Sequence, residues 1–215
     1  MAQERDKDGA NAGGVFEPPI VAFDFDGTLT VRDSYTAFLK WRTPLPAWLL
    51  GGVRLIPAAV AYLFDRDRGR IKAAATKVFL NGVPRERLED DARRFAALYS
   101  RRLLRSDAVI AWKRWRKERV RLVIVTASPD VVVAPFARGL AADGLLGTPL
   151  AYDERGRVTG AFASPNCRGA EKVVRLKAAY GDDVQIRAAY GDTSGDAEML
   201  AIAEEPYFRV FSAKA

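Results

Sequence analysis

Ile20-Val21-Ala22-Phe23-Asp24-Phe25-Asp26-Gly27-Thr28-Leu29 sets an apolar, β-branched and aromatic run directly against two carboxylates and a Gly-Thr turn. Ile20 to Phe25 therefore predicts a buried strand feeding a loop. Two later stretches repeat the arrangement. Arg121 to Thr126 (RLVIVT) precedes Ser128-Pro129-Asp130, where Ser128 or Asp130 is placed to cap a helix over Val131 to Leu140. Val184 to Tyr190 runs into Gly191-Asp192, with a helix expected over Asp196 to Ala203 and a last strand over Pro206 to Phe211. Strands alternating with helical segments predict an α/β fold, a Rossmann-like parallel sheet with helices on both faces. Its ligands sit at the carboxyl ends of the strands.

Thr30 to Val120 is too long for one crossover. Leu88, Ala92, Phe95, Tyr99 and Leu103 recur there at helical spacing, with Pro84 near a helix start. The expected organisation is a core of residues 20–30 and 120–215 with a helical cap, 31–119, inserted between the first and second motifs. Asp153 to Ala163 reads as a β-hairpin, and residues 1–19, polar and rich in Gly, Ala and charge, as a disordered tail.

Composition removes several chemistries. The chain has no histidine, which excludes Ser-His-Asp and Cys-His catalysis and His-ligated zinc. Its one cysteine, Cys167, cannot close an internal disulfide, and Met1 to Pro19 lacks a signal peptide's apolar run, so a cytoplasmic location is expected. A formal charge of +7 favours anionic partners. No recognition motif accompanies that charge, so nucleic acid is not expected.

The strand ends carry the chemistry. Asp24 and Asp26 place two acids around one turn, where one carboxylate can attack phosphorus and form a mixed anhydride while the other protonates the leaving alkoxide and then activates water. Gly27 lets the backbone approach an anion. Thr126 with the successive N–H groups of Ala127 and Ser128 makes a second anion site, although any helix cap looks similar. Lys172, in Cys167-Arg168-Gly169-Ala170-Glu171-Lys172, is a surface lysine when read alone and a phosphoryl-neutralising group in this company. Asp192 and Asp196, in Gly191-Asp192-Thr193-Ser194-Gly195-Asp196, close the set. Asp24, Asp192 and a backbone carbonyl suffice for Mg2+, which takes one or two carboxylates, waters and a substrate phosphate.

In this order the four motifs resemble the phosphatases of the haloacid dehalogenase superfamily, over about Ile20 to Phe211. The resemblance implies that Asp24 is nucleophile and Mg2+ ligand, and that Asp26 is general acid/base and ligates through its carbonyl. Thr126 and Lys172 would hold phosphate, Asp192 would bind the metal, and Asp196 would support the metal or its waters. The helical insertion and the Cys-x-Gly-x-x-Lys spacing at Cys167 to Lys172 are similar to the branch containing phosphoserine phosphatase and phosphatidylglycerophosphatase C. Asp33 falls where phosphoserine phosphatases carry a substrate-reading glutamate. Cys167 to Val173 and Phe208-Arg209-Val210 more resemble the phosphatidylglycerophosphatase C side, and Ala127 replaces a glycine often found after the second-motif hydroxyl.

Pro44 to Phe64 (PLPAWLLGGVRLIPAAVAYLF) is 21 residues with one charge, Arg54, followed by a charged run holding Arg66, Arg68 and Arg70. A single crossing would leave Asp24 and Thr126 on opposite sides of a bilayer, and no second apolar stretch returns before Thr126. Gly51-Gly52 and Pro57 predict a break in the helix. The expectation is a broken amphipathic pair lying in the interface or re-entering it, peripheral on the cytoplasmic face of an anionic inner membrane, with Trp41 and Trp48 at its edge. A helix buried in the cap or an oligomer contact is the alternative. The substrate is then a phosphorylated lipid, such as phosphatidylglycerol phosphate, or a soluble small phosphomonoester. A catalytically idle membrane- or partner-binding protein is the reading from another class, and the complete acid, hydroxyl and lysine set speaks against it.

Overall fold

A computed structural model of the protein describes residues 17–65 and 68–214. The strands are β1 (Ile20–Phe23), β2 (Arg121–Pro129), β3 (Gly144–Thr148), β4 (Leu150–Tyr152), β5 (Val158–Phe162), β6 (Ile186–Gly191) and β7 (Ala203–Phe208). The helices are α1 (Ser34–Arg42), α2 (Leu45–Asp65), α3 (Arg68–Leu80), α4 (Arg85–Leu103), α5 (Ser106–Trp115), α6 (Asp130–Gly139), α7 (Ala170–Tyr180) and α8 (Ala197–Ala201). Five strands form one sheet of order β3-β2-β1-β6-β7, parallel throughout. β4 and β5 form a separate antiparallel hairpin. Helices α1 to α5 all fall between β1 and β2.

The two-residue repeat of the strands divides the core between two faces. Val21, Phe23, Leu122, Ile124, Ala188 and Tyr190 pack with Phe38, Phe95, Trp112 and Phe136 from α1, α4, α5 and α6. Ile20, Ala22, Val123, Val125, Ile186 and Ala189 pack with Leu176 of α7 and Met199 and Leu200 of α8. The central strand is thus apolar on both sides, which is why IVAF carries no alternation of polarity. On the first face Phe23 stacks on Tyr190 with centroids 4.3 Å apart and meets Trp112 at 5.0 Å. The Trp112 indole N–H donates to the Leu140 carbonyl (2.9 Å) and that of Trp115 to the Tyr190 hydroxyl (2.9 Å). These two tryptophans seat α5 on the sheet, so this last helix of the 31–119 stretch lies in the sheet's own helical layer. The hydrophobic face expected near Leu88 forms on α4, with Leu88, Ala92, Phe95 and Leu103 buried and Tyr99 stacked on Phe95 at 5.0 Å.

Several local expectations are corrected. Neither Ser128 nor Asp130 caps α6: the helix starts after Pro129 with no side-chain cap, and Ser128 belongs to β2. β3 was unforeseen because Gly-Leu-Leu-Gly-Thr carries a weak strand signal. The last strand begins at Ala203 and tolerates Pro206 because β7 is an edge strand, where a missing N–H costs no ladder bond. Glu17 to Pro19 lead directly into β1, with the Pro19 carbonyl accepting from the Arg121 N–H at 2.9 Å. The rest of the expected tail, residues 1–16, lies outside the described residues.

α2 is one continuous helix with Pro57 inside it, not a broken pair. Gly51 provides room against α3, since a Cβ there would collide with the Phe79 ring. Trp48 stacks on Phe79 at 4.9 Å, and Trp41 packs against Phe38 and Phe95, so both tryptophans serve internal contacts. Outside that seam the helix is bare: Leu45, Leu49, Leu50, Val53, Ile56, Val60, Leu63 and Phe64 are all exposed. By length and composition it is the one helix among the described residues apolar enough to cross a membrane. Of the expected arginine cluster, Arg66 and the Arg68 side chain lie outside the described residues.

Trp112 is 2% exposed and bridges sheet, α5 and the α6 terminus. Trp112→Ala should cost about 3–5 kcal/mol in denaturant unfolding, and Trp112→Phe distinctly less, because the ring volume is largely kept.

Candidate active site

Strand register assembles the site. Phe23 pairs with Ile124 of β2 on one side and with Tyr190 of β6 on the other. Asp24, Thr126 and Asp192 therefore emerge side by side at the carboxyl edge, where the chain order reverses across the sheet. The Asp24 N–H donates to the Tyr190 carbonyl at 2.9 Å and fixes the exit from β1. The next residues make an irregular turn in which Gly27 takes φ +89°, and a Cβ there would run into the Asp192 carboxylate. Glycine is required on both counts.

Lys172, in the first turn of α7, is 1% exposed. Its ammonium reaches Asp24 Oδ1 at 2.6 Å, Asp196 Oδ1 at 2.7 Å and the Val125 carbonyl at 2.6 Å. Three protons meet three acceptors. Asp196 is saturated on its other oxygen too: Oδ2 accepts from the N–H groups of Asp192 (3.1 Å) and Thr193 (2.9 Å) and from the Thr193 hydroxyl (3.1 Å). The Asp192 carboxylate accepts only from the Thr28 hydroxyl, at 3.4 Å, among the described residues.

Asp26 turns to the opposite wall. Its Oδ1 accepts from the Ser34 N–H at 2.7 Å and its Oδ2 from the Ser128 hydroxyl. Lys72 of α3 donates to Ser128 Oγ at 2.9 Å and lies 3.6 Å from Asp26 Oδ2 and 3.1 Å from Asp33 Oδ2. Asp33 also caps α1, accepting from the Thr36 N–H at 2.7 Å. Asp24, Asp26, Asp33, Lys72, Thr126, Ala127, Lys172, Asp192 and Asp196 line one cavity of 220 Å³, together with Asn166 and Arg168. All eight residues expected from sequence thus come together. Sequence reasoning missed Lys72, Ser128, Asn166 and Arg168. Lys72 lies in an unremarkable Ile-Lys-Ala-Ala-Ala helix, and only folding of the insertion brings it here. Ser128 was visible beside Thr126, but its partner was not.

Three carboxylates, those of Asp24, Asp192 and Asp196, offer oxygens within 4.8 Å of one another. One lysine does not neutralise them. Burial, despite Lys172, and then the neighbouring charges of Asp196 and Asp26 push Asp24 up to about 7. Burial and Asp196 likewise raise Asp192. Asp196 moves the other way, because Lys172 and its N–H donors outweigh burial, and the same acids hold the buried Lys172 above its ordinary value. Excess negative charge on hard oxygen donors suits a small divalent cation. Asp24 and Asp192 have lone pairs to give it. Asp196 is engaged on both oxygens, by Lys172 and by the Asp192–Thr193 donors, and fits a supporting role.

Residues 21–201 match the model of the haloacid dehalogenase-like hydrolases, and the chain belongs to that family. Over 198 residues it is 57% identical to Protein CicA of Caulobacter vibrioides (strain NA1000 / CB15N), a match that covers 92% of this chain and 89% of that protein. Among solved structures, a protein of unknown function from Bordetella pertussis Tohama I superposes with a TM-score of 0.70 at 22% identity, covering 86% of this chain and 87% of that one. A substrate-bound phosphoserine phosphatase gives 0.57 at 16% identity, covering 87% and 84%. These structures share the fold.

The raised Asp24 links protonation to stability. Its folded value lies above its unfolded one, so it stabilises the cation-free fold below about pH 4 and that contribution is lost as pH rises through about 7. In chelator, unfolding of wild type and Asp24→Asn compared from pH 5 to 8 should show the variant gaining on the wild type. A constant difference would mean that Asp24 ionises normally.

Proposed function

We propose that the protein is a Mg2+-dependent phosphomonoesterase working through an aspartyl-phosphate on Asp24. The observation that carries the reading is the division of labour between two carboxylates in one small cavity. Asp24 lies against Lys172, which faces the charge of an attacked phosphoryl group, while Asp26 is held apart by the Ser34 N–H and Ser128. Asp24 Oδ attacks phosphorus, the ester P–O bond breaks, and Asp26 gives its proton to the departing alkoxide. Asp26 then takes a proton from water, which attacks the phosphoryl-aspartate and releases phosphate and free Asp24. Thr126 Oγ and the main-chain N–H of Ala127 are placed to hold the phosphoryl oxygens, with the charge of Lys172 beside them. Asp24, Asp192 and the Asp26 carbonyl would hold Mg2+, which supplies charge neutralisation to the phosphoryl group, and Asp196 fixes both Lys172 and the Asp192 loop. A related fold, phosphoserine phosphatase, has been solved as a phospho-aspartyl intermediate analogue, in keeping with this chemistry.

Asp24→Asn should abolish turnover and phosphoryl-enzyme formation, whereas Asp26→Asn should slow leaving-group expulsion by roughly 10²–10⁴-fold. Activity should vanish in chelator and return with magnesium but not calcium, whose larger shell misplaces the attack. Near-normal turnover by Asp24→Asn, measured on p-nitrophenyl phosphate, would sink the nucleophile assignment.

For the substrate we favour a lipid phosphate monoester such as phosphatidylglycerol phosphate, taken from the cytoplasmic face of a membrane. Support comes from the bare apolar face of α2 and its direct packing on α3, the helix that carries Lys72 into the cavity. The insertion from α1 to α4 then acts as the cap through which a head group enters. The second reading, a soluble phosphomonoester, is favoured by Asp33, which lines the cavity and which, by the resemblance, matches in sequence a substrate-reading glutamate of phosphoserine phosphatases. Vesicle flotation separates the two. Wild type should bind anionic vesicles better than neutral ones, and Leu49→Asp with Ile56→Asp should release it while leaving p-nitrophenyl phosphate hydrolysis intact. Failure of the wild type to bind either vesicle would leave the soluble reading.

A further inference from the structure

We infer that Arg168 reads a second anionic group on the substrate, so that the preferred class is phosphate monoesters carrying a carboxylate or phosphodiester a few atoms from the reacting phosphoryl. The inference rests on the phosphatase reading of the cavity. Three cations line that cavity, and two are already matched. Every proton of Lys172 is taken by Asp24, Asp196 and the Val125 carbonyl. Lys72 faces Asp33, Asp26 and Ser128. Arg168 differs: among the described residues no carboxylate lies within ion-pair distance of it, and its guanidinium donates only to the Ser194 hydroxyl, at 3.0 Å.

The guanidinium is placed rather than free to sweep solvent. It lies across Gly195, where a Cβ would collide with its Cγ, Cζ and Nη1. Its own N–H donates to the Asn166 carbonyl at 2.7 Å, and the following Gly169 N–H donates to the Gly195 carbonyl at 2.8 Å, tying the Arg168 loop to the Asp192–Asp196 loop. A guanidinium has five N–H donors in a planar fork suited to a two-oxygen anion, and one contact to Ser194 leaves most of that fork unmatched.

The reacting phosphoryl group does not need this charge. On the Asp24 side of the cavity it faces the net charge of Lys172, and a divalent cation held by Asp24 and Asp192 would neutralise it further. The volume of 220 Å³ is also below the roughly 300–1,000 Å³ of ordinary small-molecule pockets, so the cavity itself has room for a phosphoryl group and a short polar stub, and any longer part of the substrate lies outside its mouth. A second anion held by Arg168 must therefore sit close to the ester oxygen. Phosphatidylglycerol phosphate has such a phosphodiester and a phosphorylated hydroxy acid has such a carboxylate, and Arg168 serves either.

A matched pair of probes isolates the effect: 3-phosphoglycerate and glycerol 3-phosphate differ by a carboxylate in place of a hydroxymethyl group. Deacylated phosphatidylglycerol phosphate supplies the phosphodiester arm. Wild type should prefer one or both bis-anionic probes over glycerol 3-phosphate, and which arm responds identifies the source of the anion. Arg168→Gln should raise KM for the preferred probe by roughly 10- to 100-fold, the range of a charge-assisted contact, with kcat little moved. KM for glycerol 3-phosphate should shift by under about threefold, and Arg168→Lys should restore part of the difference. The same comparison by calorimetry on Asp24→Asn reads binding without turnover. An equal loss on all probes, or no preference in the wild type, overturns the inference. An affinity gap in a protein that hydrolyses no phosphomonoester overturns the phosphatase reading instead and leaves Arg168 as an anion reader.

Discussion

The buried ammonium of Lys172 is the constraint around which the rest of the molecule is arranged. A lysine with 1% of its surface exposed survives in a protein interior only when each proton has an acceptor, and here the acceptors come from three separate elements: Asp24 after β1, Val125 in β2 and Asp196 after β6. Removing any one would leave charge stranded in a low-dielectric site. The single contact set therefore pins α7 to the carboxyl edge of the sheet and fixes the three central strands in the register that aligns Asp24, Thr126 and Asp192.

The same arrangement explains why the site is under electrostatic tension. Asp24, Asp192 and Asp196 share one lysine, and burial, with the surplus negative charge added to it, raises two of the three acids. Natural proteins carry such local frustration where a ligand relieves it. A divalent cation held by Asp24 and Asp192 would do so. Asp196 keeps its low value because four donors surround it, and it acts as the rigid post of the loop.

The insertion adds a second layer of dependence. α2 contributes little to the core; its tie to the body is the seam of Gly51 and Trp48 against Phe79 of α3. α3 in turn places Lys72 between Asp33, Asp26 and Ser128. Whatever surface α2 meets is thus connected, through one helix, to the wall of the cavity that holds Asp26 and Asp33. The fold leaves eight large apolar side chains of α2 in water, and among the described residues no other helix presents a comparable face.

What the sequence determined by itself was local. IVAFDFDGT and RLVIVT carry their strand character in β-branched and aromatic residues, and their acids and hydroxyls follow at once, so the parallel sheet and the placing of Asp24, Asp26 and Asp192 at strand ends were legible from short-range pattern, whereas Thr126, Lys172 and Asp196 drew notice only through the company of the other motifs. Continuity of α2 was not, because glycine and proline are read as breakers on an isolated helix, whereas Gly51 is used here to admit the Phe79 ring. The contacts of Lys72, Ser128 and Arg168 were also invisible: Ser128 is 102 residues from Asp26 and Arg168 is 26 from Ser194. Backbone hydrogen bonding and hydrophobic periodicity act over a few residues and leave a trace in sequence. The pairing of one side chain with another across the cavity depends on strand register and helix packing, and only the tertiary structure decides those.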